Sequence, residues 1–126
     1  MDKKIKILLV DDEPDFLESL AFWFNANGYS VTTAASGQEA LNKIQENMPN
    51  IVFLDVFMSE MNGLITRNKI KEINENIPII MMSAYLEKGK HGEEDSFFGV
   101  SDVFYKEDGL PKAQELLESA LKNNKS

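Results

Sequence analysis

Short apolar runs alternate along the chain with longer segments that have helical periodicity. Five runs of mostly aliphatic or aromatic residues predict five strands, and most of them read as strands buried on both faces. They cover residues 5–10, 29–33, 51–54, 77–82 and 102–105. The second run is different, because Tyr29, Val31 and Thr33 alternate with their neighbours as in a short, simply alternating strand.

The segments between the runs carry apolar residues at helical spacing. A first helix is predicted from Pro14 to Asn27, since proline suits the first turn and the glycine after Asn27 stops the helix. A second opens with Ser36 and Glu39, which are spaced as a capping box. Its apolar residues share one face: Ala40, Leu41, Ile44 and Met48.

Two more helices are predicted, over residues 64–73 and from near Pro111 onward. Residues 86–98 are less regular, because they contain Gly89 and Gly92, and each internal glycine costs a helix about 1 kcal/mol. We expect a short or frayed helix there, with the lone histidine, His91, in an exposed loop.

Strands that alternate with helices predict βαβ units, and hence a parallel sheet with right-handed crossovers and helices on both faces. The predicted fold class is α/β, doubly wound. The length of 126 residues suits one domain, assigned to residues 1–122, with a polar tail at 123–126. It leaves no room for a separate DNA-binding or catalytic domain.

Composition narrows the range of functions. Thirteen Lys and Arg against 21 Asp and Glu give a net charge of −8, which disfavours binding to nucleic acid or to an anionic membrane. Proteins or cations are the expected partners. The absence of cysteine excludes disulfides and thiolate zinc sites, and the polar, acidic N-terminus does not resemble a signal peptide. We therefore expect a cytoplasmic location.

Polar residues that can carry chemistry follow four of the five predicted strands. Asp11 and Asp12 follow the first strand, Asp55 the third, Ser83 the fourth and Lys106 the fifth. Ligand sites of open parallel sheets form at the carboxyl ends of the strands, so these side chains are expected to converge on one cleft.

Three carboxylates in one cleft repel one another unless a hard divalent cation lies among them, and a site with few carboxylates suits Mg²⁺. Asp55 could attack phosphorus and form an aspartyl phosphate. Lys106 could then face one phosphoryl oxygen, and Ser83 could donate a hydrogen bond to another.

These residues resemble the receiver domain of bacterial two-component response regulators, over nearly the whole chain. The resemblance implies the strand order 2-1-3-4-5, which is known for the chemotaxis member of that family. The matching motifs are Asp11-Asp12-Glu13, the segment from Leu54-Asp55 to Gly63, Ser83-Ala84 and Lys106.

The resemblance also implies a mechanism. Mg²⁺ would be held by Asp12, Asp55 and the backbone carbonyl of Phe57, with Asp11 acting through water. Asp55 would accept a phosphoryl group from a sensor histidine kinase or a phosphotransfer protein. Ser83 would then move toward the phosphate, and a face including strand five would repack. A downstream protein or an output domain of a longer chain would read this face, and phosphorylation could cause dimerisation.

The sequence departs from the family pattern near this face. Val103 stands where an aromatic residue usually precedes the lysine by three positions, so a tyrosine or phenylalanine rotamer switch lacks its usual residue. Glu107 replaces the usual proline, so a trans peptide bond is expected after Lys106 and other contacts must aim this side chain. Ser59 stands where proline is common.

Two aromatic residues are expected to slow self-dephosphorylation. Phe57 and Tyr85 lie two residues after Asp55 and Ser83, at positions that influence in this family how water reaches the phosphoryl group. Bulky rings there would shield the acyl phosphate.

Other functions share parts of this pattern. A receiver-like interaction module with vestigial phosphorylation would fit the altered face, although the acidic residues are intact. A phosphohydrolase of the haloacid dehalogenase type typically has a second aspartate two residues after the first, where this chain has Phe57. A flavodoxin-like FMN carrier is excluded, because Asp11-Asp12-Glu13 would repel the phosphate that its first loop must bind.

Overall fold

The computed structural model describes residues 4–58, 62–83 and 103–123. Within these ranges five strands form one sheet in the order β2-β1-β3-β4-β5, and every neighbouring pair is parallel. The predicted α/β fold class and strand order are therefore confirmed. The strands are β1 (Lys6–Val10), β2 (Ser30–Ala34), β3 (Ile51–Asp55), β4 (Ile79–Ser83) and β5 (Val103–Tyr105).

Among the described residues, helices follow β1, β2, β3 and β5, as the apolar periodicity predicted. One half of the predicted capping box at the start of the second helix is present, since Ser36 Oγ accepts a hydrogen bond from Glu39 N at 3.1 Å. The Glu39 carboxylate accepts from Ala35 N rather than from Ser36 N. The described helices are α1 (Pro14–Ala26), α2 (Gly37–Glu46), α3 (Gly63–Ile73) and α4 (Leu110–Asn123), with a one-turn 3-10 helix at Lys106–Asp108.

The two faces of the sheet are covered by separate hydrophobic cores. Leu8 and Val10 of β1 point to one core, where they join residues of α2 and α3. Ile7 and Leu9 point to the other, where they join residues of α1 and α4. Because β3 lies in the middle and is buried at every position, it reads in the sequence as an unbroken apolar run. The two cores hold the ends of the central strands in place.

Some predicted element ends are wrong. Met48 is not on the apolar face of the second helix: α2 ends at Glu46, and Met48 is 39% exposed. The chain turns away because Asn47 has an extended backbone, with φ −158° and ψ 101°. Strand β4 begins at Ile79, after Pro78, and includes Ser83 as its last residue. Helix α4 extends to Asn123, one residue into the predicted tail.

Several predictions lie outside the described residues. They concern the short helix over 86–98 with His91, the family positions Ser59 and Tyr85, and the tail residues 124–126. Within the described ranges, no helix has both the length and the apolar character needed to cross a membrane.

Candidate functional site

The residues predicted to converge lie at the carboxyl ends of the strands. Asp55 and Ser83 are the last residues of β3 and β4, and Lys106 directly follows β5. Strand register places them side by side along one rim, because Asp55 pairs with Met82 and Ser83 pairs with Tyr105. The sheet therefore gathers side chains from distant parts of the sequence.

Three carboxylates at this rim form a tight cluster. Asp11, Asp12 and Asp55 each offer an oxygen, and these oxygens all lie within 4.8 Å of one another. Asp11 and Asp55 are buried, at 0% and 5% exposure, whereas Asp12 is open to solvent. An oxygen-rich cluster that is open on one side suits a hard divalent cation that keeps some of its waters.

The buried oxygen Asp11 Oδ2 lies 2.8 Å from Lys106 Nζ, and the two side chains form an ion pair. A buried carboxylate is costly unless positive charge compensates it. Three carboxylates share this rim with the Lys106 ammonium, so the cluster keeps an excess of negative charge that a cation would neutralise.

Burial and a neighbouring negative charge disfavour the ionised form of the Asp55 carboxyl. The pKa of Asp55 is raised from 3.8 to about 7, chiefly by burial and then by the negative charge of Asp11. The charge of Lys106 and a hydrogen bond from the Phe57 backbone lower this pKa without cancelling the rise. A divalent cation in the cluster would favour the ionised carboxylate.

Lys106 reaches across the rim to the acidic residues. Its Nζ lies 2.6 Å from Glu13 Oε1, 2.8 Å from Asp11 Oδ2 and 3.7 Å from Asp55 Oδ2. It also lies 4.9 Å from the centroid of the Phe16 ring, within the range of a cation–π contact. Burial lowers the pKa of Lys106, but the contacts with the carboxylates outweigh burial and raise it above 10.5. The ammonium therefore stays charged.

The backbone after Lys106 is as expected for a chain with Glu107 in place of proline. No peptide bond between described residues is cis, so the expected trans bond after Lys106 is confirmed. Lys106 starts a 3-10 turn that ends at Asp108. In place of the usual proline, contacts with Asp11, Glu13 and Phe16 orient the Lys106 side chain.

Sequence reasoning assigned no role to Glu13 or Phe16, although both contact Lys106. Their spacing of three residues at the start of α1 could have indicated that both face the same neighbour, since such residues lie on the same side of a helical turn. Both residues also follow the end of β1 closely in the sequence, and Asp11 lies at that end.

Gly63, the first residue of α3, lies tightly against the end of the strand that carries Asp55. Gly63 N donates a hydrogen bond to Val56 O at 2.8 Å. A Cβ at position 63 would overlap Asp55 O and lie 2.7 Å from Val56 Cα. Position 63 therefore needs glycine because of close backbone approach. Phe57, at the start of the loop after Asp55, is 47% exposed beside the site, whereas Met58 packs into the core.

Comparison with known proteins identifies the class of domain. The family model of the response regulator receiver domain matches residues 7–119, so the chain belongs to that family. It is therefore a receiver domain of a response regulator, which is a signalling domain rather than a dedicated enzyme.

Individual relatives agree with this assignment. The transcriptional regulatory protein ZraR of Salmonella typhimurium is 36% identical over 118 residues, which cover 94% of this chain and 26% of ZraR. The chain thus spans about a quarter of the length of that curated relative.

Solved structures of receiver domains superimpose well. The receiver domain of NtrX from Brucella abortus matches with a TM-score of 0.82 and 28% identity, covering 92% of this chain and 98% of that one. The response regulator protein TrrA from Thermotoga maritima, solved in complex with Mg²⁺-BeF, matches with a TM-score of 0.79, 28% identity and the same coverage.

Proposed function

We propose that this receiver domain, taken as residues 1–122, accepts a phosphoryl group on Asp55 with Mg²⁺ bound beside it. The observation that carries the proposal is the meeting of three carboxylates with one ammonium at a single rim: Lys106 Nζ lies 3.7 Å from Asp55 Oδ2 within the acidic cluster. The donor is a sensor histidine kinase or a phosphotransfer protein. The complex of TrrA with Mg²⁺-BeF supports a metal site of this kind.

Each residue has a separate task in the proposed transfer. Asp55 is the nucleophile: a carboxylate oxygen forms a bond to phosphorus while the bond from phosphorus to the donor breaks and the donor leaves with its electron pair. Lys106 keeps its proton and faces a phosphoryl oxygen as a fixed positive charge. Ser83 is buried at the end of the neighbouring strand, from which its hydroxyl can donate to another oxygen.

The acidic cluster would hold the cation. Asp12, Asp55 and the backbone carbonyl of Phe57 are its proposed ligands, with Asp11 acting through water. When bound, Mg²⁺ would neutralise charge that builds up on the transferred group. The close approach of the three carboxylates and the open position of Asp12 support this assignment.

Phosphorylation is proposed to change a protein-binding face. Ser83 and Lys106 flank β5, so their movement toward a phosphate would reach that strand and α4 behind it. Val103 and Tyr105 of β5 are partly exposed, and a downstream protein or an output domain could read them. A second phosphorylated copy of the chain could also bind this face and form a dimer. The exposed Phe57 beside Asp55 supports slow self-dephosphorylation.

A phosphorylation assay tests the function directly. The protein is incubated with acetyl phosphate and Mg²⁺, and hydroxylamine-labile phosphate is measured by intact-protein mass. We expect one phosphate on the wild type and none on Asp55→Asn, because an amide is a poor nucleophile. Asp15→Asn is the matched control, since Asp15 is an exposed acid of α1, and it should behave as wild type.

Each other outcome has a clear meaning. A wild-type protein without phosphate would favour the vestigial interaction module. Phosphate on Asp55→Asn would place the acceptor at another residue. Continuous hydrolysis of a phosphate monoester would favour the phosphohydrolase.

Metal binding gives an independent prediction. Asp12→Asn should weaken Mg²⁺ binding by about tenfold or more, because it removes one charged ligand from the open side of the cluster. Isothermal titration calorimetry with MgCl₂ measures the change, with Asp15→Asn as the variant of equal charge. Equal affinities for Asp12→Asn and the wild type would contradict the role of Asp12 as a ligand.

A further inference from the structure

Glu13 occupies the N-cap position of α1 but does not cap the helix. N-cap side chains usually accept hydrogen bonds from the first free amides of the helix. The Glu13 side chain makes no such bond, although its backbone is extended, with φ −95° and ψ 103°. Its Oε1 instead accepts a hydrogen bond from Lys106 Nζ at 2.6 Å, across 93 residues of sequence.

The backbone of Glu13 is held in place for this contact. Asp11 Oδ1 accepts a hydrogen bond from Glu13 N at 2.9 Å. Pro14, which follows, restricts the backbone of Glu13 to extended conformations. The other oxygen of Asp11 lies 2.8 Å from Lys106 Nζ. The Asp11 carboxylate thus contacts both the backbone amide of Glu13 and the Lys106 ammonium, which the Glu13 side chain also binds.

Glu13 competes with Asp55 for this ammonium. Lysine has three N–H donors, and its two closest carboxylate oxygens belong to Glu13 and Asp11, while Asp55 Oδ2 is about an ångström farther away. A phosphoryl group on Asp55 would bring new oxygens toward Nζ. The contact with Glu13 opposes a shift of Nζ toward these oxygens.

Solvent limits the strength of this competition. The Glu13 side chain is 63% exposed, whereas that of Lys106 is 10% exposed. Ion pairs with one open partner are screened by water and are weak. The contact can therefore restrain Lys106 without locking it.

We propose that Glu13 is a positioning residue that restrains Lys106 in the unphosphorylated domain and thereby slows phosphorylation of Asp55. This inference rests on the proposed function and adds to it a residue that sets its rate. Glu13 acts through Lys106 and does not contact the transferred group.

The test compares initial rates of phosphorylation with acetyl phosphate and Mg²⁺. Glu13→Gln should be about two- to fivefold faster than the wild type, which corresponds to the loss of one exposed ion pair. Glu13→Asp keeps the charge but is one methylene shorter, so it should also be faster. Asp15→Asn removes the same charge as Glu13→Gln from the same turn of α1, and its rate should not change.

A second background shows whether Glu13 acts through Lys106. In Lys106→Met, adding Glu13→Gln should leave the rate unchanged, because the group that Glu13 restrains is gone. A gain that persists in Lys106→Met, or that Asp15→Asn reproduces, would overturn the inference in favour of a general charge effect. Wild-type rates for Glu13→Gln or for Glu13→Asp would also overturn it.

The proposed function can fail separately from this inference. If the wild type takes up no phosphate, both fall together. If the wild type is phosphorylated on Asp55 and Glu13→Gln has the same rate, only the restraint by Glu13 is wrong.

Discussion

Asp55→Asn should stabilise the metal-free domain, and the gain should grow as the pH rises. The pKa of Asp55 is about 7 in the folded state and 3.8 in an ordinary environment, so the folded state binds this proton more tightly than the unfolded state. The unfavourable free energy of ionising Asp55 is therefore absent near pH 4 and fully present above pH 7. About three pKa units correspond to roughly 4 kcal/mol. The asparagine variant avoids this penalty because its amide carries no charge.

Urea unfolding at several pH values, with EDTA present, measures this effect. The difference in unfolding free energy between Asp55→Asn and the wild type should rise from near zero at pH 4 to roughly 3–4 kcal/mol at pH 8. Millimolar Mg²⁺ should narrow the difference, because the cation binds the folded wild type. Asp15→Asn should differ from the wild type by less than about 0.5 kcal/mol at every pH. A difference for Asp55→Asn that does not change with pH would contradict the raised pKa of Asp55.

Gly63→Ala should destabilise the domain by about 3 kcal/mol or more. The added Cβ would overlap Asp55 O and lie 3.0 Å from Asp55 C and 2.7 Å from Val56 Cα. All three are backbone atoms, so no side chain can turn aside to make room. The chain would have to open between Gly63 and Val56, which are joined by a hydrogen bond of 2.8 Å. Because Asp55 is displaced with this backbone, Mg²⁺ binding should weaken as well.

Gly28→Ala is the matched control for this change. Gly28 has φ +95°, a conformation that favours glycine, but a Cβ there would meet nothing within 4 Å. Its replacement should cost only about 1 kcal/mol in backbone strain and leave Mg²⁺ binding unchanged. Urea unfolding and calorimetric titration of both variants make the comparison. Equal losses of stability at the two positions would show that the loop after Asp55 relaxes around the new methyl group.

Local sequence patterns predicted the helices and strands, because burial of one or both faces and capping of helix ends select residue types at regular positions along the chain. The apolar run at Ile51 reads as a strand since both faces of β3 are covered, and Ser36 marks a helix start because its side chain caps the next turn. Such patterns are weaker at element ends. Met48 continues the apolar spacing of α2, but the backbone at Asn47 has already left the helix.

The position of the candidate site also followed from the sequence. Parallel strands bring their carboxyl ends to one rim, so Asp11, Asp55 and Lys106 had to converge once the strands were recognised. The structure confirms this convergence, with Lys106 Nζ close to both carboxylates. Their roles in phosphoryl transfer remain the proposal that the phosphorylation assay tests.

The order of apolar and polar residues by itself determined the α/β fold and the rim at which the acids collect, because both depend on periodicity and strand direction. Only the tertiary structure decided how the site is tuned. The raised pKa of Asp55, the contact between Glu13 and Lys106 and the lack of space at Gly63 depend on burial and on distances between backbone segments. Such distances leave no periodic trace in the sequence, since residues such as Glu13 and Lys106 are separated by 93 positions.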